Sequence, residues 1–225
     1  EESSLIAADA VALNEAVEME EELSEEEAEA FDNAEVRTNF NETAYFASNL
    51  TTDQDGNIFI NFTMPESMTR WNVMGLAHTK DMKIGDVSSS LVTQKNVSVT
   101  PNLPRFMREG DEMYISAKIA NLTENTISGK AKIEFINTQN SEDITDKFLK
   151  NNIVTFSADA SRNTSVEWKI SVPKSIGAVA VRIVAIAEGH SDGEEKVLPI
   201  LTNRMMVTET MPLPVRRAGT TKFSF

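Results

Sequence analysis

The amino-acid sequence predicts an all-β protein made of immunoglobulin-like or fibronectin-like sandwiches, with an acidic arm at its N-terminus. Three observations support this prediction. The excess of negative charge is confined to residues 1–36. Beyond that point apolar and polar side chains alternate with a period of two, as in strands with one buried face. Clusters of Gly, Pro, Asn and Asp separate the alternating runs, which is typical of sheets built from short strands.

The acidic arm comprises residues 1–36 and carries 14 of the 35 acidic side chains without any Lys or Arg. The rest of the chain therefore balances 21 acidic against 21 basic side chains. The arm contains no Gly or Pro, yet its glutamates three and four positions apart repel one another along a helix. We expect a solvated arm that is partly helical or disordered. The net charge of −14 disfavours nucleic-acid partners, because phosphates are bound mainly through Lys and Arg.

Residues 37–99 contain about four alternating runs. The first extends from Ile58 to Met64 and is ended by Pro65, and the next two cover residues 71–77 and 91–99. Four strands can barely bury two sheet faces. We therefore expect this region to be part of a β domain that is completed by sequence upstream of Glu1. The chain begins without Met and stops within an alternating run, so we interpret both ends as cuts in a longer polypeptide.

Residues 100–202 predict one complete sandwich, because about seven short alternating runs follow one another with turns between them. We expect glycines to permit three turns of the chain, at Gly56, Gly110 and Gly193. Residues 203–225 then lead out as a linker or strand toward a further domain, since Pro212 and Pro214 prevent regular pairing. The clearest alternating runs cover residues 113–119, 131–135, 166–172, 179–187 and 197–201.

The sequence predicts no catalytic residue, no cofactor and no metal site. It has no cysteine, which excludes disulfides, thiolate nucleophiles and Cys-ligated zinc. Its two histidines, His78 and His190, are far apart in sequence, and we interpret both as structural or solvent-exposed. The stretch 53–57 resembles a calcium loop, but its glycine stands fourth rather than sixth, so we interpret it as a turn. Glycine-rich phosphate-binding motifs are absent as well.

Tryptophans and asparagines also suggest binding or modification. Trp71 and Trp168 lie inside alternating runs, so we expect both in the core rather than on a sugar-binding platform. A carbohydrate-binding module or hydrolase therefore stays a weaker alternative.

No apolar run approaches the roughly 20 residues that a membrane-spanning helix needs. Six Asn-x-Ser/Thr sequons matter only in a glycosylating host; they are at Asn41, Asn49, Asn61, Asn96, Asn121 and Asn163.

One stretch is more specific than the alternation. This stretch is Pro65-Glu66-Ser67-Met68-Thr69-Arg70-Trp71, followed by Ala77-His78-Thr79. It resembles a motif of the alpha-2-macroglobulin family. These residues are most similar to the form of the motif in the bacterial branch of the family. Upstream, residues 40–43 are similar to the family's entry motif, with Asn41 where proline is usual. Downstream, residues 103–111 and 191–193 are similar to the following macroglobulin domain. The motif residues that we expect to have structural roles are Pro65, Glu66, Ser67, Thr69 and Trp71.

This resemblance implies tandem macroglobulin-type β-sandwiches and an endopeptidase inhibitor. Members of the family trap proteases: a protease cuts an exposed bait segment, the stacked domains rearrange, and the protease is enclosed. By analogy, residues 1–36 occupy the place of the bait or its trailing linker, and residues 37–99 the part of a domain that follows it. Proteases and other macroglobulin-like domains of the same chain would be the partners. The location would be extracytoplasmic: periplasm, cell surface or secreted. Any thioester would lie downstream of residue 225.

The arm's composition narrows the proteases that could cut it. Trypsin-like enzymes require Lys or Arg, whereas elastase-like or Glu-directed proteases could cut near Val11, Val17, Met19 or Leu23. We expect first cleavage within residues 1–36 and a resistant core from about Arg37, because a charged arm that cannot bury itself stays accessible. The alternative function is an extracellular adhesive or structural stalk module without inhibitor activity, which would neither bind nor slow an added protease.

Overall fold

The computed structural model describes residues 23–204, 206–210, 212, 218–220 and 222. Strands dominate these residues, which confirms the all-β prediction. One α-helix and one short 3₁₀ helix accompany them: α1 (Glu25–Asp32) and the 3₁₀ turn Thr145–Lys147. The strands are β1 (Val36–Arg37), β2 (Arg70–His78), β3 (Ile84–Val92), β4 (Val97–Asn102), β5 (Met107–Arg108), β6 (Glu112–Asn121), β7 (Ile127–Asn137), β8 (Ile153–Ala158), β9 (Asn163–Ser171), β10 (Ala178–Ala187) and β11 (His190–Leu201).

Strands β4 to β11 form a sandwich of two sheets. The larger sheet has the order β1-β11-β10-β7-β8, with β5 pairing with β11, and the smaller has the order β4-β6-β9. Buried side chains of both sheets form one apolar cluster. In β9, for example, Val166, Trp168 and Ile170 face this cluster while their neighbours are exposed. Such alternation is what a sheet with one face toward the core requires.

The sandwich differs from the sequence predictions at its edges. Strand β4 starts at Val97, and β11 starts at His190 instead of Val197. Gly193 therefore lies inside β11, and its predicted turn is wrong. The reason is close packing: a Cβ at Gly193 would come within 3.0 Å of Val36 Cγ2. The turn before β11 uses Gly189 instead, at φ +79°, whereas Gly56 and Gly110 adopt the positive φ values expected of them.

The region between residues 38 and 92 contains one two-stranded sheet, formed by β2 and β3. The predicted strand from Ile58 to Met64 is wrong, because no strand forms there in the described chain and its apolar side chains are largely exposed. A strand needs a partner for its backbone groups, and alternation alone does not supply one. Strand β3 was not predicted. The predicted run 91–99 is divided between β3 and β4.

In the part of the chain that the structure describes, no helix is both long enough and apolar enough to cross a bilayer.

Candidate functional site

The end of the acidic arm meets the β-sandwich and the stretch from Pro65 to Trp71, which we call the Pro-to-Trp motif, in one place. Three segments converge there, residues 35–39, 65–71 and 93–95, together with Asp192 and Glu194 of β11. We call this cluster the joint. Its geometry follows from helix α1, from strand β1, and from three sets of hydrogen bonds.

Helix α1 begins at a capping box. Ser24 Oγ accepts a hydrogen bond from Glu27 N at 3.2 Å, and Ser24 N donates to Glu27 Oε2 at 3.0 Å. This reciprocal pair satisfies two backbone donors of the first turn. The three glutamates of that turn also lie at the positive end of the helix dipole. The Ser24 N–H and the Lys130 ammonium hold the pKa of Glu27 below its ordinary value. The acidic sequence therefore favours a helix here.

Helix α1 packs on the outer face of the larger sheet. Its buried Phe31 contacts Val184 and Ile186 of β10, whose side chains point away from the main core. Glu27 Oε2 lies 3.0 Å from Lys130 Nζ of β7. The second half of the acidic arm is thus docked on the sandwich. Partly buried apolar residues surround Phe31: Leu23, Ala30, Ala34 and Val36.

Strand β1 continues from α1 and adds to the larger sheet in parallel with β11. Val36 lies opposite Gly193, and Arg37 lies opposite Glu194. The Gly193 N–H donates to the Glu35 carbonyl at 3.2 Å. Because Gly193 has no side chain, the backbone of β1 can approach β11 at this point. The arm therefore enters the sandwich through backbone pairing as well as through α1.

Arg37 is the most heavily bonded side chain of the joint and is only 4% exposed. Its Nε and Nη2 donate to the two Asp192 carboxylate oxygens at 3.0 and 2.9 Å, a bidentate pair. Nη2 also donates to Glu194 Oε2 at 3.1 Å and to the Val99 carbonyl of β4 at 2.7 Å. One guanidinium thus connects the arm to both sheets. Bidentate pairs of this kind fix geometry as well as charge.

Asp192 is fully buried and receives further donors. The Val99 N–H donates to Asp192 Oδ2 at 2.9 Å, and Lys95 Nζ lies 3.0 Å from Asp192 Oδ1. Lys95 Nζ also lies 3.2 Å from Glu35 Oε2. The buried carboxylate is therefore compensated by two cations and a backbone N–H, as a buried charge requires.

Glu66 of the Pro-to-Trp motif binds the backbone directly after Arg37. Its Oε2 accepts hydrogen bonds from the N–H groups of Thr38 at 2.7 Å and Asn39 at 2.8 Å. The Glu66 N–H donates to the Asn39 carbonyl at 2.8 Å. The hydrogen bonds from Asn39 and Thr38 lower the pKa of Glu66, because they stabilise its charged form. The motif thus holds the backbone that directly follows the arm and Arg37.

Thr93 connects the third segment of the joint, residues 93–95, to the Pro-to-Trp motif. Its Oγ1 donates to the Ser67 carbonyl at 2.7 Å and accepts from Trp71 Nε1 at 3.0 Å. Its N–H donates to the Thr69 carbonyl at 3.0 Å. Ser67 and Thr69 therefore contribute backbone carbonyls, and Trp71 contributes its indole N–H.

Two motif residues differ from their predicted roles. Trp71 is half-buried and lies outside the sandwich core, so the expectation that it anchors the core is wrong; its indole is occupied by the bond to Thr93 instead. Pro65 is buried in the joint but does not end a strand, because none precedes it within residues 38–64. By contrast, Trp168 is buried in the core as predicted, and its Nε1 donates to the Asn152 carbonyl at 3.0 Å.

The predicted protease-accessible residues lie mostly outside the described chain. Val11, Val17 and Met19 belong to residues 1–22, which the structure does not describe. Leu23 is half-buried against the apolar cluster of α1, so the accessible stretch is expected upstream of it.

The remaining candidate residues take no part in the joint. His78 is exposed at the end of β2, and His190 is half-buried at the start of β11. Asp53 Oδ1 accepts hydrogen bonds from Asp55 N and Asn57 N, which makes the stretch 53–57 the predicted turn. In the described residues, no three His, Cys, Asp or Glu side chains are grouped to hold a metal ion.

Sequence reasoning missed Arg37, Asp192 and Glu194. Two signals were available. Arg37 is the first basic residue after an arm that has none, and Asp192 and Glu194 stand two apart, on one face of a strand. Apart from Arg70, whose Nη1 donates to Ser90 Oγ at 3.4 Å, the charged side chains of the joint are engaged in the contacts described above or, for Glu194, also with Lys196. The arrangement can therefore tie segments together mechanically.

Comparisons with known proteins agree with this fold. A model of the alpha-2-macroglobulin family matches residues 43–133. The chain is 28% identical over 185 residues to an alpha-2-macroglobulin homolog of Nostoc, covering 79% of this chain and 9% of that protein. It is 26% identical over 173 residues to the alpha-2-macroglobulin of Thermotoga maritima, covering 73% of this chain and 10% of that protein. The chain thus spans about a tenth of the length of these relatives.

Solved structures share the fold at low sequence identity. Salmonella alpha-2-macroglobulin reacted with methylamine matches with a TM-score of 0.53 and 17% identity, covering 69% of this chain and 10% of that chain. Escherichia coli alpha-2-macroglobulin activated by porcine elastase matches with a TM-score of 0.53 and 14% identity, covering 74% and 15%.

Proposed function

We propose that the chain is a scaffold segment of an endopeptidase inhibitor of the alpha-2-macroglobulin family, which its sequence matches support, and that this inhibitor acts by bait cleavage and protease trapping. The segment itself is not an enzyme. Its task is mechanical: it connects a cleavable acidic arm to a β-sandwich. The observation that carries this proposal is the joint, in which Arg37 links the arm to both sheets of the sandwich.

The proposed organisation has four parts. Residues 1–36 are the bait-proximal arm, residues 37–99 are part of one macroglobulin-like domain, residues 100–202 are a complete one, and residues 203–225 lead toward the next. The largely exposed β2–β3 ribbon supports the second part, since an isolated two-stranded sheet is marginally stable in water. Other macroglobulin-like domains of the same chain are the proposed partners of this ribbon, and proteases the partners of the arm.

The joint would transmit cleavage of the arm to the β-sandwich and to residues 65–95 through a few direct contacts. A cut near Val11, Val17 or Met19 frees the arm on one side only, because the other side stays bound through Arg37. The same stretch of backbone is held by Glu66 of the Pro-to-Trp motif. Any change in tension on the arm therefore reaches the region 65–95 and the sandwich together. Since the proposed targets are proteases of the surroundings, the protein would work outside the cytoplasm, in the periplasm, at the surface or secreted.

The experiment that tests this function follows protease activity against substrates of two sizes. Elastase is incubated with the full-length protein, and its activity is then measured on a small peptide substrate and on a large protein substrate. Enclosure predicts that peptide hydrolysis persists while protein hydrolysis falls, because only the small substrate reaches an enclosed active site. Elastase with its active-site serine blocked is the control and is expected to form no complex.

The same experiment separates the alternative function. An adhesive or structural stalk would be cut in the arm without any change in the activity of elastase on either substrate. That result would overturn the trapping function and leave the fold unaffected.

A further inference from the structure

The arm contacts the sandwich in two ways that differ in strength. We propose that residues 23–39 form a two-stage anchor, in which α1 detaches reversibly as a strap while Arg37 stays bound. The inference concerns the chain's own contacts, so it holds whether the protein traps proteases or serves as a stalk.

The strap contact is small and depends on docking. A helix of eight residues is marginal in water by itself. Its acidic first turn and capping box favour it, but the repulsion between Glu25 and Glu29, four positions apart, offsets part of this gain. Phe31 is the one fully buried side chain of this contact and packs on Val184 and Ile186, with Leu23, Ala30 and Ala34 partly buried around it. The pair between Glu27 and Lys130 adds a contact at the start of the helix. Undocking α1 therefore also removes the contacts that keep it helical.

Charge makes the strap sensitive to salt. The acidic helix lies over two lysines of β7: Lys130 pairs with Glu27, and Lys132 Nζ lies 5.8 Å from the Phe31 ring centroid. The Glu27 side chain is one-third exposed, so added salt screens its attraction to Lys130. We expect the detached population of α1 to increase with ionic strength.

The Arg37 contact is of the opposite kind. The side chains of Arg37 and Asp192 are 5% and 0% exposed, so salt screens their attraction much less than that of an exposed pair. Withdrawing Arg37 would leave Asp192 with Lys95 alone and Glu194 with Lys196 alone among their cations, and removing one partner of a buried ion pair is strongly destabilising. Glu66 holds the following two residues by their backbone. Detachment that starts at Leu23 therefore stops before Arg37.

A consequence for the arm follows from this order. A cut anywhere upstream of Leu23 leaves residues 23–36 as a tether that can lift from the sheet and expose Val184 and Ile186. The tether stays attached to the sandwich by Arg37. A protease could trim the lifted tether, but not the backbone of residues 35–39 around Arg37, which is paired with β11 and held by Glu66.

Hydrogen–deuterium exchange on the complete chain tests the two stages separately. We expect peptides from residues 23–34 to exchange about tenfold faster than peptides from residues 35–39 and from β11, since local openings cost less than global unfolding. Raising the salt concentration from about 0.05 M to about 0.5 M should accelerate only the first group. Equal exchange of residues 23–34 and β11 under both conditions would overturn the proposal.

Two variants sharpen the test. Phe31→Ser should bring residues 23–34 to the exchange of an unstructured chain without changing residues 35–39, while the matched control Phe46→Ser, at a residue 83% exposed, should change neither. Arg37→Met should accelerate exchange in residues 35–39 and in β11 as well. If Phe31→Ser accelerated residues 35–39 as much as α1, the anchor would have one stage and the proposal would fail.

Digestion with a Glu-directed protease gives a second readout, which is available even where Arg37→Met fails to fold. Brief digestion of the unaltered chain should leave a core that begins near Leu23. In Phe31→Ser the cleavage should advance to Glu29, so that the core begins near Ala30, and it should not reach the paired bond between Glu35 and Val36. A core of Phe31→Ser that begins beyond Asn39 would contradict a fixed Arg37.

Discussion

The sandwich formed by β4 to β11 and the region between residues 38 and 92 use similar alternating sequences with opposite results. In β9, Val166, Trp168 and Ile170 are buried, whereas in the run from Ile58 to Met64 Phe59 is 84% exposed. Each β9 residue has a register partner in β6, while the run 58–64 has none among the described strands. Alternation therefore specifies a segment with one apolar and one polar face. Backbone pairing with a neighbouring strand decides whether that segment becomes a β-strand.

Charged side chains show the same contrast between the two regions. Arg37 and Asp192 are buried at the edge of the sandwich and share Val99 as a further partner, while Arg37 also donates to Glu194. Lys83 and Asp81, at the tip of the β2–β3 hairpin, form an ion pair of 3.2 Å between exposed side chains. Buried pairs are strongly coupled to the fold, whereas exposed pairs contribute little.

Truncation of a core aromatic should give the largest difference between the regions. Phe135 is fully buried in β7 and stacks on Phe148 with ring centroids 4.0 Å apart. We expect Phe135→Ala to lower the free energy of unfolding by about 4 kcal/mol, because it leaves a cavity in the core. The matched variant Phe59→Ala should change it by less than about 0.5 kcal/mol. Urea unfolding of both variants measures this, and equal effects would show that residues 38–64 are packed in solution.

Neutralising a buried carboxylate should have the next largest effect. Asp192→Asn removes the charge that compensates Arg37 and Lys95, and we expect it to lower the free energy of unfolding by about 3 kcal/mol. Asp81→Asn removes the exposed partner of Lys83 and should leave stability unchanged within error. The two variants are compared by urea unfolding at low and high salt. An Asp192→Asn chain as stable as the unaltered protein would contradict the role of Arg37 in fixing the arm.

The parts of the fold that sequence predicted are those whose partners lie within the chain. Strands β6, β9 and β10 follow directly from alternation, because each pairs with at least one other strand of the same sandwich. Strand β3 escaped prediction because its centre, Gly85-Asp86-Val87-Ser88-Ser89-Ser90, has few strand-forming side chains. It forms a strand by pairing with β2. Pairing of this kind is a property of two segments and cannot be read from either one.

The joint was predicted in part, and for a similar reason. The Pro-to-Trp motif was recognised, but the role of Glu66 depends on the backbone of residues 38 and 39, which sequence does not place beside it. Arg37 lies 155 positions from its main partner, Asp192. A buried ion pair over such a separation depends on sheet topology, since the pairing of β1 with β11 is what brings Arg37 beside Asp192.

The smallest expected effect concerns the hydrogen bonds of Glu66 and depends on pH. Because these bonds lower the pKa of Glu66 in the folded chain, its contribution to stability is complete above the ordinary pKa of 4.5 and is lost as pH falls through the lowered value. Glu66→Gln should therefore reduce the free energy of unfolding by about 1 kcal/mol at neutral pH, the size of an ordinary hydrogen-bond effect. This difference from the unaltered chain should shrink toward zero below the lowered pKa.

Urea unfolding at a series of pH values from neutral to about 3 measures this difference across the pKa range of a carboxyl group. The control is Glu124→Gln, which alters an exposed carboxylate in the turn between β6 and β7 and should show a difference near zero throughout. A Glu66→Gln difference that stays constant or increases toward low pH would mean that the charge of Glu66 does not hold residues 38 and 39. The region 65–71 would then be joined to the arm by the Glu66 N–H and its bond to the Asn39 carbonyl.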